Sequence, residues 1–384
     1  MSNSTLNAIA EDLALYMWDR DPFEATLMGF RSYDRGLADL SSAADTAFRE
    51  RRHELRHRIM DIGNDSLEGQ DVLTKAVMLA ILNNMDEYEI AGQEEYTLSD
   101  FPVAPASMLL AYIRMIALTN DDEAWAYLDR LREIPRFLEQ SLQRLAQGRK
   151  RGLTPVAHLV EAAAAQIDKY LSTQPEIMLL PLPAGFAETD RWTAEFESVI
   201  ADHVRPAFSA YRDALRADVL PTARDREHVG LCHIENGADR YQALIHAHTT
   251  TKRTALEIHE AGMQQVAKVL DEFRVLGNKV FGISDPKALF KHLNEDPSVR
   301  WRTREEILTA AEVAVRRAEA EAPKWFGRLP QDACQLAEVP DLEAEGSAPA
   351  YYMGPSLDGS RKGTYFQNTF KPDQRTSFDL ESIA

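Results

Sequence analysis

Helical periodicity over most of the chain is the sequence feature that most limits its fold. Through about the first 320 positions, apolar residues recur at spacings of three and four, which places them on one face of an α-helix. The first such stripe comprises Leu6, Ile9, Leu13 and Met17, and another comprises Val72, Ala76, Leu79, Leu82 and Met85. Runs of β-forming residues occur only later, at 334–339, 350–353 and 363–369.

The pattern therefore predicts a mainly α protein. We expect a large helical body over residues 1–330, followed at 331–384 by a small β-sheet segment that belongs to the same domain.

Local signals predict where several helices begin and break. Capping boxes at 254–257 and 303–306 mark two starts. Thr154 and Pro155 indicate a third start, because threonine can cap a helix and proline fits its first turn. Proline inside a helical pattern should break or bend it, as we expect at Pro135 and Pro206. In the helix after residue 254, the expected buried stripe is Ile258, Val266, Val269 and Phe273.

Charge and targeting signals exclude several function classes. The formal net charge is −18, from 43 basic and 61 acidic residues. A surface of this sign repels phosphate, so we expect no nucleic-acid partner and no anionic membrane partner. The first residues carry no signal-peptide pattern, and no apolar run reaches the length of a membrane span. With only two cysteines and no metal-ligand spacing of them, the sequence favours a cytoplasmic protein.

One motif is a literal match to the zinc-binding pattern H-E-x-x-H. On a helix His53 and His57 share a face and could bind zinc together, with Glu54 as general base. Four arginines surround the histidines and disfavour a divalent cation: Arg51, Arg52, Arg56 and Arg58. We therefore favour a charged surface helix, and keep a zinc site at His53 and His57 as an alternative.

A second polar cluster precedes the helix that begins near residue 254. His246, His248 and the hydroxyls of 249–251 could line a polar site. Alternatively, the hydroxyls satisfy backbone groups in a loop before a helix start, and this is the interpretation that we favour.

Several stretches in order along the chain resemble the bacterial family called domain of unknown function 885. The resemblance runs from about residue 10 to the last residue. The stretches that carry it are 21–29, 131–152, 248–262, 326–330 and 350–369, which include Asp21-Pro22-Phe23, His248-Thr249-Thr250-Thr251, Glu257-Ile258-His259 and Gly363-Thr364-Tyr365-Phe366-Gln367-Asn368-Thr369.

The resemblance implies a helical, zinc-peptidase-like fold related to the gluzincins. Members carry an H-E-x-x-P-G-H metal motif that follows a segment like 365–384, with a further acidic ligand downstream. The sequence in hand stops at Ala384, before such a motif. The resemblance therefore implies zinc for the complete family member, no metal ligands in this chain, and a truncated chain that is inactive alone.

Candidate site residues follow from the same resemblance. In zinc peptidases an exposed strand holds an extended substrate through backbone hydrogen bonds, and 363–369 is the candidate strand. Tyr351 and Tyr352 are the candidate catalytic residues, since a phenol can steady an oxyanion. Tyr365, Gln367 and Asn368 are the candidate substrate-binding residues. The competing interpretation is that the tyrosines pack the sheet and that Asn368 caps the strand.

The resulting hypothesis is the N-terminal and central portion of a zinc-dependent peptidase-like hydrolase. Its expected partners are a peptide or peptide-like substrate and a missing C-terminal segment or second chain. Two alternatives stay open: a non-catalytic helical binding module or half of a split enzyme, and the zinc site at His53 and His57.

Overall fold

The structure is a computed structural model that describes residues 3–173, 176–330, 333–339, 344, 347–378 and 380. It divides into two compact units, residues 1–256 and residues 257–384. The first unit contains α1 Ser4–Arg20, α2 Pro22–Leu27, α3 Ser42–Met60, α4 Gln70–Ala91, α5 Pro105–Tyr112, α6 Asp121–Lys150, α7 Ala157–Ser172, α8 Thr189–Val199, α9 Arg205–Ala214 and α10 Gly237–Thr249. Helix α11 Ala255–Phe281 leads into the second unit, which also contains α12 Pro286–Glu295, α13 Arg304–Glu321, β1 Gln335–Glu338, β2 Ala350–Met353 and β3 Thr364–Gln367.

The mainly helical fold with a small sheet near the C-terminal end is confirmed. The expected division at residues 330 and 331 stays a prediction.

One helix begins at a side-chain cap that the sequence indicated, and another at a cap that it did not. Thr303 accepts a hydrogen bond from the Glu306 backbone N–H at 3.2 Å, as its capping box predicts. Helix α3 begins at Ser42, but its cap is the preceding residue, Ser41, whose hydroxyl accepts from the Ala44 N–H.

The start that we expected at Thr154 and Pro155 is wrong. Helix α7 begins at Ala157, because the backbone before it is engaged elsewhere: the Ala157 N–H donates to the carbonyl of Arg224 at 2.7 Å. Val156 pairs with the same residue in an isolated parallel bridge.

Helix α6 forms the centre of the larger core of the first unit. It runs through Pro135 without the expected break. Leu131, Ile134 and Leu138 flank the proline and are buried, so packing outweighs the single hydrogen bond that proline removes. Trp192 of α8 is fully buried against this helix, and its indole N–H donates to the Ala124 carbonyl at 2.8 Å.

Proline at 206 is accommodated by a change of helix type rather than a sharp end. The segment Ile200–Val204, which directly precedes α9, is π-helical and contains the carbonyl that residue 206 would bond to in a regular helix. Pro206 lies in the first turn of α9, where its missing N–H costs little.

Helices α1, α3 and α4 share a second core in the first unit. Leu6, Leu55 and Leu82 are its most completely buried leucines. The stripe expected on α4 is wrong at its N-terminal end, because Val72 is 49% exposed.

The second unit buries less apolar surface than the sequence predicted. Of the expected α11 stripe, Val266 and Val269 are 53% and 43% exposed, and the one buried residue among those described in α11 is Gly277. Helix α12 packs against the C-terminal half of α11, where the rings of Phe273 and Phe290 lie 4.9 Å apart. The expectation of a buried stripe along α11 is therefore wrong over most of its length.

The sheet of the second unit has the strand order β1-β3-β2. Strand β1 pairs with β3 in parallel and β2 pairs with β3 in antiparallel orientation, each over all four residues. Helix α13 contributes Ile307, Ala311 and Ala314 to a small core that Ala350 and Tyr365 complete from the sheet.

Candidate functional site

Strand β3 is the centre of the sheet, which corrects the expected role of residues 363–369. Residues 364–367 pair with β1 on one side and with β2 on the other. A strand paired on both sides has no free row of backbone groups, so a peptide cannot add to it. Within the described residues, the unpaired edges are those of β1 and β2.

Hydrogen bonding shows which residues of β2 direct their backbone outward. The Asn368 N–H donates to the Pro349 carbonyl at 2.9 Å, so residues 349, 351 and 353 form the pairs that bond to β3. The backbone groups of Ala350 and Tyr352 therefore point to the outer edge of β2.

The two candidate catalytic tyrosines lie on opposite faces of the sheet. Tyr351 is half-buried and stacks on Phe366 of β3, with ring centroids 5.0 Å apart and planes inclined by 19°. Tyr352 is 59% exposed, and its ring covers Gly363, where a Cβ would overlap the phenol. Of the two tyrosines, Tyr352 is the more exposed.

Tyr365 and Gln367, two of the candidate substrate-binding residues, face the core of the second unit. Burial raises the pKa of the Tyr365 phenol, and its hydroxyl donates to the Gln367 side-chain oxygen at 3.3 Å. The Gln367 amide in turn donates to the Pro349 carbonyl at 3.1 Å. These polar atoms therefore serve internal hydrogen bonds in this structure.

Asn368, the third of these candidates, is fully buried. Its side-chain amide donates to the carbonyls of Ala344, Ser347 and Ala348 at 2.7, 3.4 and 3.3 Å. Its side-chain oxygen accepts from the Phe370 N–H at 3.1 Å. Asn368 thus ties the chain before β2 to the end of β3.

Sequence reasoning missed one polar contact that anchors the same strand end. The Thr369 hydroxyl donates to the carboxylate of Glu338 at 2.7 Å, and Arg304 of α13 lies 3.7 Å from that carboxylate. No local pattern signals the contact, because its partners lie 31 and 65 positions before Thr369.

The H-E-x-x-H match lies on the outer face of α3. His53, Glu54 and His57 are exposed, whereas Leu55 is buried. The neighbouring Arg52 is buried and forms ion pairs with Asp86 and Glu89 of α4, and Glu89 is also paired with Arg49. Within the described part of the chain, no group of three His, Cys, Asp or Glu side chains has the geometry to hold a metal ion.

The second polar cluster lies at the junction of α10 with α4. The imidazole of His246 lies 3.3 Å from the Glu87 carboxylate, and His248 makes an edge-on contact with Tyr88. The Thr249 hydroxyl donates to the Ile245 carbonyl at 2.7 Å. The hydroxyl therefore serves a backbone group as expected, but the expected loop is wrong at 246–249, because these residues form the last turn of α10.

Comparison with known proteins places the chain in a family. The family model described as "Bacterial protein of unknown function (DUF885)" matches residues 22–384. The chain belongs to this family. A search of curated proteins finds no match.

Two solved structures resemble the DUF885 chain in fold. One is from Colwellia psychrerythraea and is described as a candidate lipoprotein. It is 17% identical to this chain, with a TM-score of 0.84, and the match covers 98% of this chain and 69% of the other. The second, from Shewanella oneidensis and described as a candidate lipoprotein of unknown function, is 16% identical, with a TM-score of 0.62 and coverage of 100% and 67%. At these identities the likeness concerns the fold alone. Separately, the described helices include none that is both long enough and apolar enough to span a membrane.

Proposed function

We propose that this DUF885 chain is the N-terminal and central portion of a zinc-dependent, peptidase-like hydrolase that is inactive without a further segment. The observation that carries the proposal is the apolar surface of the second unit. On α11, Met263, Val266 and Val269 are 58%, 53% and 43% exposed, and their spacing of three residues places neighbours side by side along the helix. Large exposed apolar side chains mark surface that another part of a protein covers.

The two solved relatives leave room for such a segment. The match covers about two thirds of each of them, although it covers nearly all of this chain. A further segment would add both the apolar cover and the metal ligands that the resemblance implies.

Zinc itself does not fit the residues in hand. Since the described residues offer no group of three ligands, we assign no step through zinc to them. The H-E-x-x-P-G-H motif would belong to the further segment.

The substrate would be a peptide that adds to the outer edge of β2, by β-strand addition. In this position the backbone groups of Tyr352 would bond to the peptide, and its side chain, which now lies over Gly363 on the side of β3, would turn outward to reach it. The phenol would donate a hydrogen bond to the oxygen of the carbonyl under attack. Tyr351, Tyr365, Gln367 and Asn368 would act indirectly, by holding β2 and β3 in place.

A second candidate is one half of a two-chain enzyme. The same exposed apolar surface favours it, since a separate chain could cover that surface as well as a covalently linked segment. For either candidate we propose a cytoplasmic location, supported by two free cysteines, Cys232 and Cys334.

The test uses the protein that includes whatever the gene encodes beyond codon 384. Its hydrolysis of a fluorogenic peptide library is compared between wild type, Tyr352→Phe and Tyr365→Phe. We expect Tyr352→Phe to lower kcat by roughly 100-fold, because one oxyanion donor is worth about that much. Tyr365→Phe is the matched control and should leave kcat within about threefold.

Two results would contradict the proposal. If neither the longer protein nor a mixture with a partner chain hydrolyses any peptide, the proposed activity is wrong. If peptides are cleaved but Tyr352→Phe and Tyr365→Phe behave alike, the role of Tyr352 is wrong and the activity stands.

A further inference from the structure

Loop 225–233 of the first unit brings together two histidines that the proposed function does not use. His228 and His233 are both exposed, and their rings lie in edge-to-face contact with centroids 4.8 Å apart. Asp225 lies beside them, with its carboxylate 2.7 Å from Nδ1 of His228.

The spacing of the two rings suits a shared metal ion. A zinc or copper ion lies about 2.1 Å from a ligating imidazole nitrogen and hence about 3.2 Å from the ring centroid. Two imidazoles that bind one ion at angles of about 90–110° then have centroids roughly 4.6–5.3 Å apart. The observed separation of 4.8 Å falls within this interval, and the exposed ring of His233 would turn from its present edge contact to point a nitrogen at the shared ion.

Asp225 orients one of the two rings for this purpose. Its carboxylate accepts from Nδ1 of His228, which leaves Nε2 as the free lone pair. A carboxylate that accepts the second ring N–H is the usual partner of a metal-bound histidine. The same carboxylate also accepts from the backbone N–H groups of Glu227 and His228, at 2.9 and 3.1 Å.

The loop is held in shape without a metal. Arg224 donates to the carbonyls of His228, Val229 and Gly230 at 3.1, 3.0 and 2.8 Å. It also donates to the Thr154 carbonyl at 2.9 Å, which fixes the loop to the segment before α7. The backbone that carries His228 is therefore held in place before any ion arrives.

We propose that His228 and His233 form a binding site for one borderline divalent cation, Zn²⁺ or Cu²⁺, with Asp225 as a positioning residue. No third side chain of the described residues joins them in ligand geometry, so water fills the other coordination positions. Imidazole suits both ions. A structural zinc site with four protein ligands binds the ion far more tightly than a site with two. With two protein ligands we expect about half of the binding free energy of such a structural site, which corresponds to a Kd on the order of 10 µM.

The test is calorimetric titration of the untagged chain with zinc chloride. The background is His53→Ala with His57→Ala, because the helical pair on α3 could bind a second ion. We expect one zinc per chain, and a loss of affinity of at least about tenfold in His228→Ala or His233→Ala. Asp225→Asn should weaken binding by about tenfold, because the amide still caps the loop but no longer carries charge.

Two control variants keep the test specific to the paired rings. Cys232→Ser and His248→Ala should each change the affinity by less than about twofold. Circular dichroism of every variant checks that the fold is retained. The proposal is overturned if the background chain binds no zinc, if His233→Ala leaves the affinity unchanged, or if Cys232→Ser abolishes binding.

Discussion

Replacing Asn368 by alanine separates a structural role from the substrate-binding role that the sequence predicted. The side chain is fully buried and makes four hydrogen bonds to backbone groups before β2 and after β3. Alanine would leave the Phe370 N–H and the Ala344 carbonyl, the two best-placed partners, without a bond. An unsatisfied buried group costs about 1–3 kcal/mol, so we expect Asn368→Ala to lower the free energy of unfolding by about 2–4 kcal/mol.

Urea denaturation followed by circular dichroism gives this free energy, and hydrogen exchange followed by mass spectrometry locates its effect. We expect faster exchange in peptides that cover 347–370, with little change in the first unit. Gln335→Ala is the matched control, because it removes an exposed amide from the same sheet and should cost less than about 0.5 kcal/mol. If Asn368→Ala is as stable as wild type but weakens peptide binding by the longer protein, Asn368 is a substrate ligand and the structural interpretation is refuted.

Four further substitutions test packing and electrostatics, three of them in the first unit and one, Gly262→Ala, in the second. Gly148→Ala should destabilise by about 1–3 kcal/mol, because a Cβ would overlap the backbone carbonyl of Glu95. Gly262→Ala, with open space around it, should stabilise by about 0.5–1 kcal/mol. Thermal melts that rank the two variants the other way would contradict the packing. Arg130→Lys should lower the free energy of unfolding, measured by urea denaturation, by about 2 kcal/mol. The buried guanidinium donates to two backbone carbonyls and a hydroxyl, and an ammonium group cannot reach all three. Equal urea midpoints for the variant and wild type would contradict this. Burial alone would raise the pKa of Glu89, but hydrogen bonds from Arg52 and Arg49 outweigh burial and lower that pKa below 4.5. The stability advantage of wild type over Glu89→Gln should therefore persist above pH 4.5 and shrink as the pH falls below it. A constant difference from pH 7 to pH 3 would count against the ion pairs.

Local sequence signals predicted the elements of the fold better than their arrangement. The cap at Thr303 depends on residues within one helical turn, and the strands 350–353 and 364–367 depend on short runs of β-formers. Both were found as expected. The order of the strands depends on packing between segments about 30 positions apart, and no local pattern encodes it. The sequence therefore did not reveal that the candidate substrate strand, β3, lies in the centre of the sheet.

The candidate site illustrates the same limit at the level of side chains. Polar residues at 367 and 368 resemble ligands in the sequence, yet their partners are carbonyls 18–24 positions upstream. Conversely, the sequence around Thr154 predicted a helix cap that does not form. Val156 instead pairs with Arg224, 68 positions away, and no local pattern signals this pairing. Contacts at such separations decide whether a polar side chain serves the fold or faces a ligand.

The most direct test of the proposed function is the zinc content of two purified proteins. One is the 384-residue chain with His53, His57, His228 and His233 all replaced by alanine, which removes both candidate two-histidine sites. The other carries the same substitutions together with whatever the gene encodes beyond codon 384. After dialysis against a weak chelator, mass spectrometry should find about one zinc per molecule in the longer protein and essentially none in the shorter one. Equal zinc in both, or none in the longer protein, would contradict the account.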